Sequence, residues 1–372
     1  MPHRPAQRLV RAPGWLRSLL QSPSWRRALA ILGFAIWSTN VTYSVAEAAQ
    51  PHVESTQTDT DDRDHLWVIS TRHLLQPACR APLESPNLFV SRLDSCGRTS
   101  PTDLNDYLAN RRPSRPTVIY VHGNRIDSTM DAIRRSLSVY RDVRRYRHVN
   151  TNASPSTVAG ATSVASTAGP IDWVVWSWPS QREALALKDV RIKAARTDAQ
   201  GLYLAWLLRH HVFAGQPTAM VGYSFGGRII TGSLHALAGG ALGGRRLPGE
   251  SITGAQMDIG LVAPALEADW MANCGYHRLA TKNLDSMTLL FNRRDAVLKN
   301  YWRLDRIRNA DALGYTGPKH FAPRIDGSRL PVQARDCAAA VGRHHSELDY
   351  YTSRCRGGFL ISRVVSSSTF HN

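Results

Sequence analysis

The sequence predicts an α/β protein whose mainly parallel central sheet is covered by helices on both faces. Continuous apolar or β-branched runs at residues 117–121 and 173–178 are typical of strands buried on both faces of a parallel sheet. Patterns typical of helices follow them at residues 128–143 and 189–210. Because strands and helices alternate along the chain, the pattern favours parallel strands joined by helical crossovers.

Length and composition indicate a globular protein with a sizeable core. The chain has 372 residues, of which 43% are hydrophobic and 20% are charged. These fractions are ordinary for folded domains and argue against general disorder. We expect a single domain over residues 66–372, because no internal repeat and no second core is apparent in the sequence.

The N-terminal segment predicts export. Residues 1–48 contain six arginines with no acid before Glu47, then an apolar run at residues 28–37 and an Ala-rich end. This order is typical of a secretory signal peptide, with cleavage expected after Ala48. The apolar run is short for a membrane span, and an uncleaved N-terminal anchor is the alternative. Residues 49–65 are polar and acidic, which predicts a flexible linker.

The chain is strongly basic. Its formal charge of +17 becomes +12 when residues 1–48 are removed. Such an excess favours contact with an anionic envelope surface, and a solvated basic surface is the alternative interpretation. No nucleic-acid-binding module is recognisable, so we expect no specific nucleic-acid partner, and the sequence leaves the oligomeric state open.

Five cysteines have no metal-binding spacing. They are Cys79, Cys96, Cys274, Cys337 and Cys355, and no two of them form a C-x-x-C pair. In an exported protein, local bridges Cys79–Cys96 and Cys337–Cys355 would leave Cys274 free, although sequence does not fix the pairing.

Further strands and one insertion complete the expected fold. Residues 150–170 are nearly all small or polar and predict a low-complexity loop insertion. Trp173, Trp176 and Trp178 are expected in the core rather than in a substrate pocket. The remaining strands are expected at residues 66–70, 88–90, 218–223, 259–265, 287–291 and 332–337.

The segment from residue 218 to 240 contains the most informative pattern. A short apolar strand is followed by Gly222, Tyr223, Ser224, Phe225 and Gly226, and then by a helix of apolar and small residues. Glycines on both sides of a serine permit a strand-to-helix turn so tight that the serine hydroxyl is exposed above the sheet. Ser224 is therefore the candidate nucleophile.

A serine nucleophile requires a base and an acid that orients the base. Asp295 follows the apolar strand at residues 287–291, which fits the acid, although an aspartate that only caps a turn is the alternative. Asp258, Asp305 and Asp311 fit less well, since none directly follows such a strand.

The base is expected in a loop near the C-terminus. His344 and His345 lie just after the last predicted strand, and two adjacent side chains cannot both point into one site. We favour His345 over His344, with a surface histidine pair as the alternative. His210, His211, His277 and His320 lie in segments that do not match the required position.

Two backbone N–H groups are expected to stabilise the oxyanion. One belongs to Phe225, and the other belongs to Asn124 in the loop after the strand at residues 117–121. Gly123 lets the main chain approach the substrate, and His122 is expected to brace this loop. No phosphate loop, dinucleotide fingerprint or metal cluster is present in the sequence, so no cofactor is predicted.

The ordered set VIYVHGN, VVWSWPS, VGYSFGG, LVAPAL, LLFNRRDAVLKNYW and VGRHHSELDYY resembles α/β-hydrolase-fold proteins, in particular poorly characterised bacterial serine hydrolases of that superfamily. The resemblance covers residues 115–352. It implies a serine hydrolase that works through an acyl-enzyme intermediate, for which Ser224, His345 and Asp295 are the expected Ser-His-Asp triad. Export to the bacterial periplasm, envelope or exterior is expected from the N-terminal segment instead. It does not imply a particular substrate, since the superfamily hosts many activities.

The functional expectation is an exported, carboxylesterase-like serine hydrolase that cleaves an ester or related acyl bond of a small or acylated substrate. The long apolar lid of large lipases is not evident in the sequence, which disfavours long-chain lipids. The alternative is a non-catalytic basic protein that binds the envelope and retains the hydrolase fold.

Overall fold

A computed structural model describes residues 63–94, 96–150, 169–304, 309–352 and 354–367. The predicted signal at residues 1–48, the linker up to residue 62 and the insertion at residues 151–168 lie outside the described residues. In the described part of the chain, no helix combines the length and apolar character that crossing a membrane requires.

In the described ranges, nine strands form one mixed sheet, in the order β3-β2-β1-β5-β4-β6-β7-β8-β9. From β1 to β9 in this spatial order, each strand is parallel to the next. β2 is antiparallel to both of its neighbours, β1 and β3. The strands are β1 (His65–Ser70), β2 (Phe89–Leu93), β3 (Thr99–Thr102), β4 (Thr117–Val121), β5 (Asp172–Ser177), β6 (Thr218–Tyr223), β7 (Met257–Val262), β8 (Leu284–Phe291) and β9 (Val332–Asp336).

Helices cover both faces of this sheet. The described helices are α1 (Leu104–Ala109), α2 (Thr129–Asn150), α3 (Ala186–Phe213), α4 (Phe225–Leu237), α5 (Leu313–Thr316), α6 (Ala338–Val341), α7 (Glu347–Tyr350) and α8 (Gly357–Ser367). Helix α2 packs against α8, and α3 packs against α4. The chain passes through α2 from β4 to β5, toward one edge of the sheet, and through α3 from β5 to β6, toward the other edge. Because such connections are right-handed, α2 and α3 lie on opposite faces of the sheet.

The predicted fold class is confirmed. The sheet is mainly parallel, it is covered on both sides, and a sharp strand-to-helix turn joins β6 to α4. These features are consistent with the α/β-hydrolase fold.

The central strands match the prediction closely, and the peripheral elements match it less well. β4 spans the expected five residues, and all of them are buried. Trp173, Trp176 and Trp178 are also fully buried and lie in the core, as expected. α1, α8 and the edge strand β3 were not predicted from the sequence. The segment TSPT of β3 contains a proline, which is tolerated at a sheet edge.

One of the two suggested disulfides is present. Cys337 and Cys355 are bonded, which ties the end of β9 to the start of α8. The suggested Cys79–Cys96 bridge is wrong for this structure, because both residues are free and exposed. Cys79 lies in a short helical turn and Cys96 in the turn between β2 and β3, so proximity in sequence did not produce a bond. Cys274 is free, as expected.

The order of the strands determines where a site can form. From β4 the chain crosses to β5 on one side and then back over to β6 on the other. β4 and β6 are therefore neighbours whose following loops diverge, which opens a crevice at their carboxyl ends. The loop that begins at His122 and the turn at Ser224 both lie at this crevice.

Candidate active site

Ser224 occupies a strained turn between β6 and α4. Its backbone has φ of 52° and ψ of −118°, a conformation that costs free energy for a residue other than glycine. A Cβ added to Gly222 would lie 2.8 Å from Gly226 C, and one added to Gly226 would collide with the carbonyl oxygen of Val121. The glycines on both sides of the serine are therefore required by close backbone contacts.

The turn brings Ser224 next to a histidine. Ser224 Oγ lies 3.0 Å from His345 Nε2, although the two residues are 121 positions apart. On the other side of the ring, His345 Nδ1 lies 2.6 Å from Asp295 Oδ2. If Nδ1 carries the proton, Nε2 is left as an acceptor for the serine hydroxyl. The three residues thus form a continuous hydrogen-bonded chain.

Asp295 is fixed by the turn that follows β8. Its Oδ1 accepts hydrogen bonds from Val297 N and Leu298 N, each at 2.9 Å. Its Oδ2 remains for His345, and the side chain is 0% exposed. The capping role and the contact with the histidine are therefore compatible, because each uses a different carboxylate oxygen.

The two adjacent histidines have opposite surroundings. The side chain of His344 is 80% exposed, and its Nδ1 lies 3.9 Å from Asp349 Oδ2. The side chain of His345 is 13% exposed and stacks on the ring of Tyr223 at a centroid distance of 5.1 Å. Only His345 of this pair contacts Ser224 and Asp295 in the described structure.

The two candidate oxyanion donors lie at the same cavity as Ser224. Phe225 is the first residue of α4, so its N–H has no partner one turn earlier in the helix. Gly123 and Asn124 line the cavity with Ser224. A Cβ on Gly123 would lie 3.1 Å from Ser224 Cβ, so glycine permits this close approach.

His122 braces the loop from beneath. Its Nδ1 lies 2.8 Å from Gly123 O and its Nε2 accepts a hydrogen bond from Trp178 N at 3.3 Å. The indole N–H of Trp178 donates in turn to His122 O at 2.8 Å. Burial lowers the pKa of His122 to about 3, so the ring is neutral near pH 7. It makes no described contact with Ser224.

Glu347 is a buried acid at the same cavity, and it was not predicted from the sequence. It is 2% exposed, and Tyr120 donates a hydrogen bond to its carboxylate at 2.9 Å. Arg135 Nε is 3.9 Å from Glu347 Oε2. Burial raises the pKa of Glu347 to about 7. A glutamate in the first turn of a helix is ordinarily solvated, so the local sequence gave no indication of this role.

The cavity above Ser224 has a volume of about 670 Å³ and mostly apolar walls. Arg125, Arg135 and Arg303 also reach it. Its larger aliphatic side chains are Ile126, Leu187, Val190, Val297, Leu298 and Leu304. A volume of this size suits a small ligand.

Of the weaker candidates, Asp305 lies outside the described residues, and those described next have partners away from Ser224. Asp258 is paired with Ser286 at β7 and β8, and His211 contacts Tyr107 and Thr218. His277 contacts Thr231 behind α4. Among the residues that the structure describes, no three His, Cys, Asp or Glu side chains are grouped so that they could hold a metal ion.

Comparisons with known proteins return likenesses at the level of structure. No family model matches the chain, and no curated protein matches it in sequence. An inhibited esterase B from Lactobacillus rhamnosis is similar at 13% identity and a TM-score of 0.34, covering 82% of this chain and 88% of that one. Esterase 2 from Thermogutta terrifontis is 12% identical with a TM-score of 0.31, covering 70% and 86%.

A truncated carbohydrate esterase from gut microbiota is 10% identical with a TM-score of 0.36, covering 78% of this chain and 94% of that one. Likenesses at these values do not extend to activity or substrate.

Proposed function

We propose that this chain is an exported, carboxylesterase-like serine hydrolase that cleaves an ester or related acyl bond. One observation carries the proposal: His345 bridges Ser224 Oγ at 3.0 Å and the buried carboxylate of Asp295 at 2.6 Å. A hydroxyl next to a histidine that a carboxylate orients is the arrangement that activates a serine nucleophile.

In the first half of the proposed reaction, Ser224 Oγ attacks the acyl carbonyl carbon while His345 Nε2 takes the hydroxyl proton. The tetrahedral intermediate then collapses, and the alcohol leaves with that proton. In the second half, His345 takes a proton from water, and the resulting hydroxide attacks the acyl-enzyme. The acid is released, and the proton returns to Ser224. Asp295 stabilises the histidinium at both stages.

The N–H groups of Phe225 and Asn124 are proposed to stabilise the oxyanion. A donor at the start of α4 also benefits from the positive end of the helix dipole. Each such donor commonly contributes about 10²–10³ in rate when it meets the developing charge.

Two further features bear on the proposal. The apolar walls of the cavity suit a short acyl chain.

The disulfide Cys337–Cys355 supports export, because such bonds persist in oxidising compartments. Sequencing the N-terminus of the mature protein tests export; an intact Met1 in the cytosolic fraction would contradict it.

Active-site labelling tests the enzyme proposal directly. A fluorophosphonate should label the wild-type protein at Ser224 and leave Ser224→Ala unlabelled, while Ser100→Ala, at an exposed serine of β3, should label normally. Hydrolysis of p-nitrophenyl butyrate should follow the same pattern. Folded wild-type protein that is neither labelled nor active would refute the proposal and favour the non-catalytic, envelope-binding alternative.

A further inference from the structure

A second cavity adjoins the one above Ser224. Its volume is about 580 Å³, and Ala296 and Asn300 line both cavities. Its other lining residues are Arg293, Arg294, Lys299, Trp302, Tyr315 and Arg343. The described lining therefore contains four cationic side chains and no carboxylate; we call it the basic cavity.

Within the part of the chain that the structure describes, most of these positive charges have no acid as an ion-pair partner. Arg293 Nε lies 3.7 Å from Asp336 Oδ2, but the side chain of Arg293 is 66% exposed. Arg294, Lys299 and Arg343 form no ion pair within 4.0 Å with a described residue. Like charges gathered in one concavity raise its positive potential and attract anions.

The basic cavity is fixed relative to Ser224 because the same loops build both. Arg294 immediately precedes Asp295, and Arg343 lies two residues before His345. Ala296 N donates to Arg343 O at 3.1 Å, which joins the loop of the acid to the loop of the histidine. A ligand that extends from Ser224 past Ala296 would therefore reach the cations directly.

The chemistry of the lining favours a phosphate group. The planar guanidinium donates paired hydrogen bonds that match phosphate oxygens, and lysine adds a further cationic donor. Trp302 and Tyr315 supply apolar surface beside them. In the proposed reaction His345 gives its proton to the leaving alcohol, so an alcohol part that extends past Ala296 would meet these cations.

We propose that the basic cavity binds a phosphate group carried by the alcohol part of the ester that Ser224 attacks. The binding site stands on the cavity alone, whereas its link to an ester rests on the proposed function. The phosphate contributes to binding only, and no P–O bond breaks. Water supplies the oxygen of the released acid, and the phosphorylated alcohol leaves with a proton.

Binding is tested without catalysis. Glycerol 3-phosphate is titrated by calorimetry into Ser224→Ala protein. The titration is repeated with Ser224→Ala protein that also carries Arg294→Gln and Arg343→Gln; this pair of substitutions is called the arginine variant. We expect binding that weakens at least about tenfold in the arginine variant and declines with added salt. Lys299→Gln alone should also weaken binding of glycerol 3-phosphate. This single substitution keeps the proposal testable if the arginine variant fails to fold. Arg329→Gln, at an exposed arginine just before β9, is the matched control and should bind normally.

Activity is tested with a matched pair of esters, 1-butyroylglycerol 3-phosphate and 1-butyroylglycerol. We expect a higher kcat/KM for the phosphorylated ester than for the neutral one. The ratio of the two values should fall at least about tenfold when Arg294→Gln and Arg343→Gln are introduced with Ser224 intact, as expected for the loss of charge-assisted hydrogen bonds. Cleavage of the soluble ester indicates a small phosphorylated alcohol, and cleavage restricted to oleoylglycerol 3-phosphate in vesicles indicates a lipid headgroup.

The outcomes separate the two proposals. Cleavage of the neutral ester that depends on Ser224, without binding of glycerol 3-phosphate, overturns the phosphate site and leaves the hydrolase intact. Binding that depends on the arginines, without cleavage of any ester, supports the phosphate site and overturns its link to an ester. An unchanged ratio of kcat/KM values in the arginine variant overturns that link as well.

Discussion

Tyr120 donates a hydrogen bond at 2.9 Å to the carboxylate of Glu347, a residue 227 positions later in the chain. Tyr120 lies in β4, just before the loop of Asn124, and Glu347 lies two residues after His345. Both side chains are buried. This contact ties the strand before the proposed oxyanion loop to the segment that holds the proposed base.

The carboxyl group of Glu347 should make folding depend on pH. Its folded-state pKa of about 7 lies above the ordinary value of 4.5, so the folded state binds the extra proton between these values. The associated stability is present below pH 4.5 and is lost as the pH rises through about 7, by about 3 kcal/mol in total. Glu347→Gln keeps an acceptor for Tyr120 without titrating, so its unfolding free energy relative to wild type should rise over that window. Urea unfolding from pH 4.5 to 8 measures the difference, and a constant difference would contradict the prediction.

The two adjacent histidines should respond very differently to substitution. His345→Ala removes the group beside Ser224 and should lower kcat/KM for p-nitrophenyl butyrate by about 10³-fold or more. His344→Ala removes an exposed ring that touches neither Ser224 nor Asp295 and should leave kcat/KM within about twofold. A larger loss of kcat/KM in His344→Ala than in His345→Ala would show that His345 is not the base.

The disulfide closes the loop that carries His345 and Glu347. Cys337 and Cys355 are 18 positions apart, and replacing both by serine should lower the free energy of unfolding by about 3 kcal/mol. Cys274→Ser, at a free and exposed cysteine, is the control and should stay within about 0.5 kcal/mol. Urea unfolding measures both changes, and equal effects would argue against a bond that stabilises this loop.

Four buried histidines should make the fold sensitive to acid. Burial lowers the pKa of His122 and His211 to about 3, that of His235 to about 4, and that of His277 well below its usual value. Below pH 6.5 the unfolded chain binds protons that the folded chain does not, so stability is lost as the pH falls through this range. The slope should approach about 5 kcal/mol per pH unit at most.

Single substitutions measure how much a given histidine contributes to this acid sensitivity. His235→Asn should reduce the slope of unfolding free energy against pH by about one proton, as linkage requires. Ser100→Ala, at an exposed residue that does not titrate, should leave the slope unchanged. Denaturant unfolding at pH 7, 6 and 5 provides the slopes, and a flat profile in the wild type would contradict the prediction.

The local patterns of the sequence predicted the central strands well because those strands are apolar along their whole length. The run at residues 117–121 is β4, and the glycines around Ser224 accompany a sharp turn. β3 and α1 were missed because they lie in a segment rich in turn residues, where local preferences are weak. Tertiary contacts decide there: β3 pairs with β2, and α1 packs against β2.

The sequence by itself determined the fold class, the elbow at Ser224 and the chain order of a serine, an aspartate and a histidine, because each follows from short local patterns. Only the tertiary structure decided which histidine faces Ser224, which cysteines pair, that Glu347 is buried against Tyr120, and that Arg294 and Arg343 share one cavity. The physical reason is that these relationships depend on burial and on distances between segments that are far apart in the chain. Such distances are determined by the packing of the sheet and its loops.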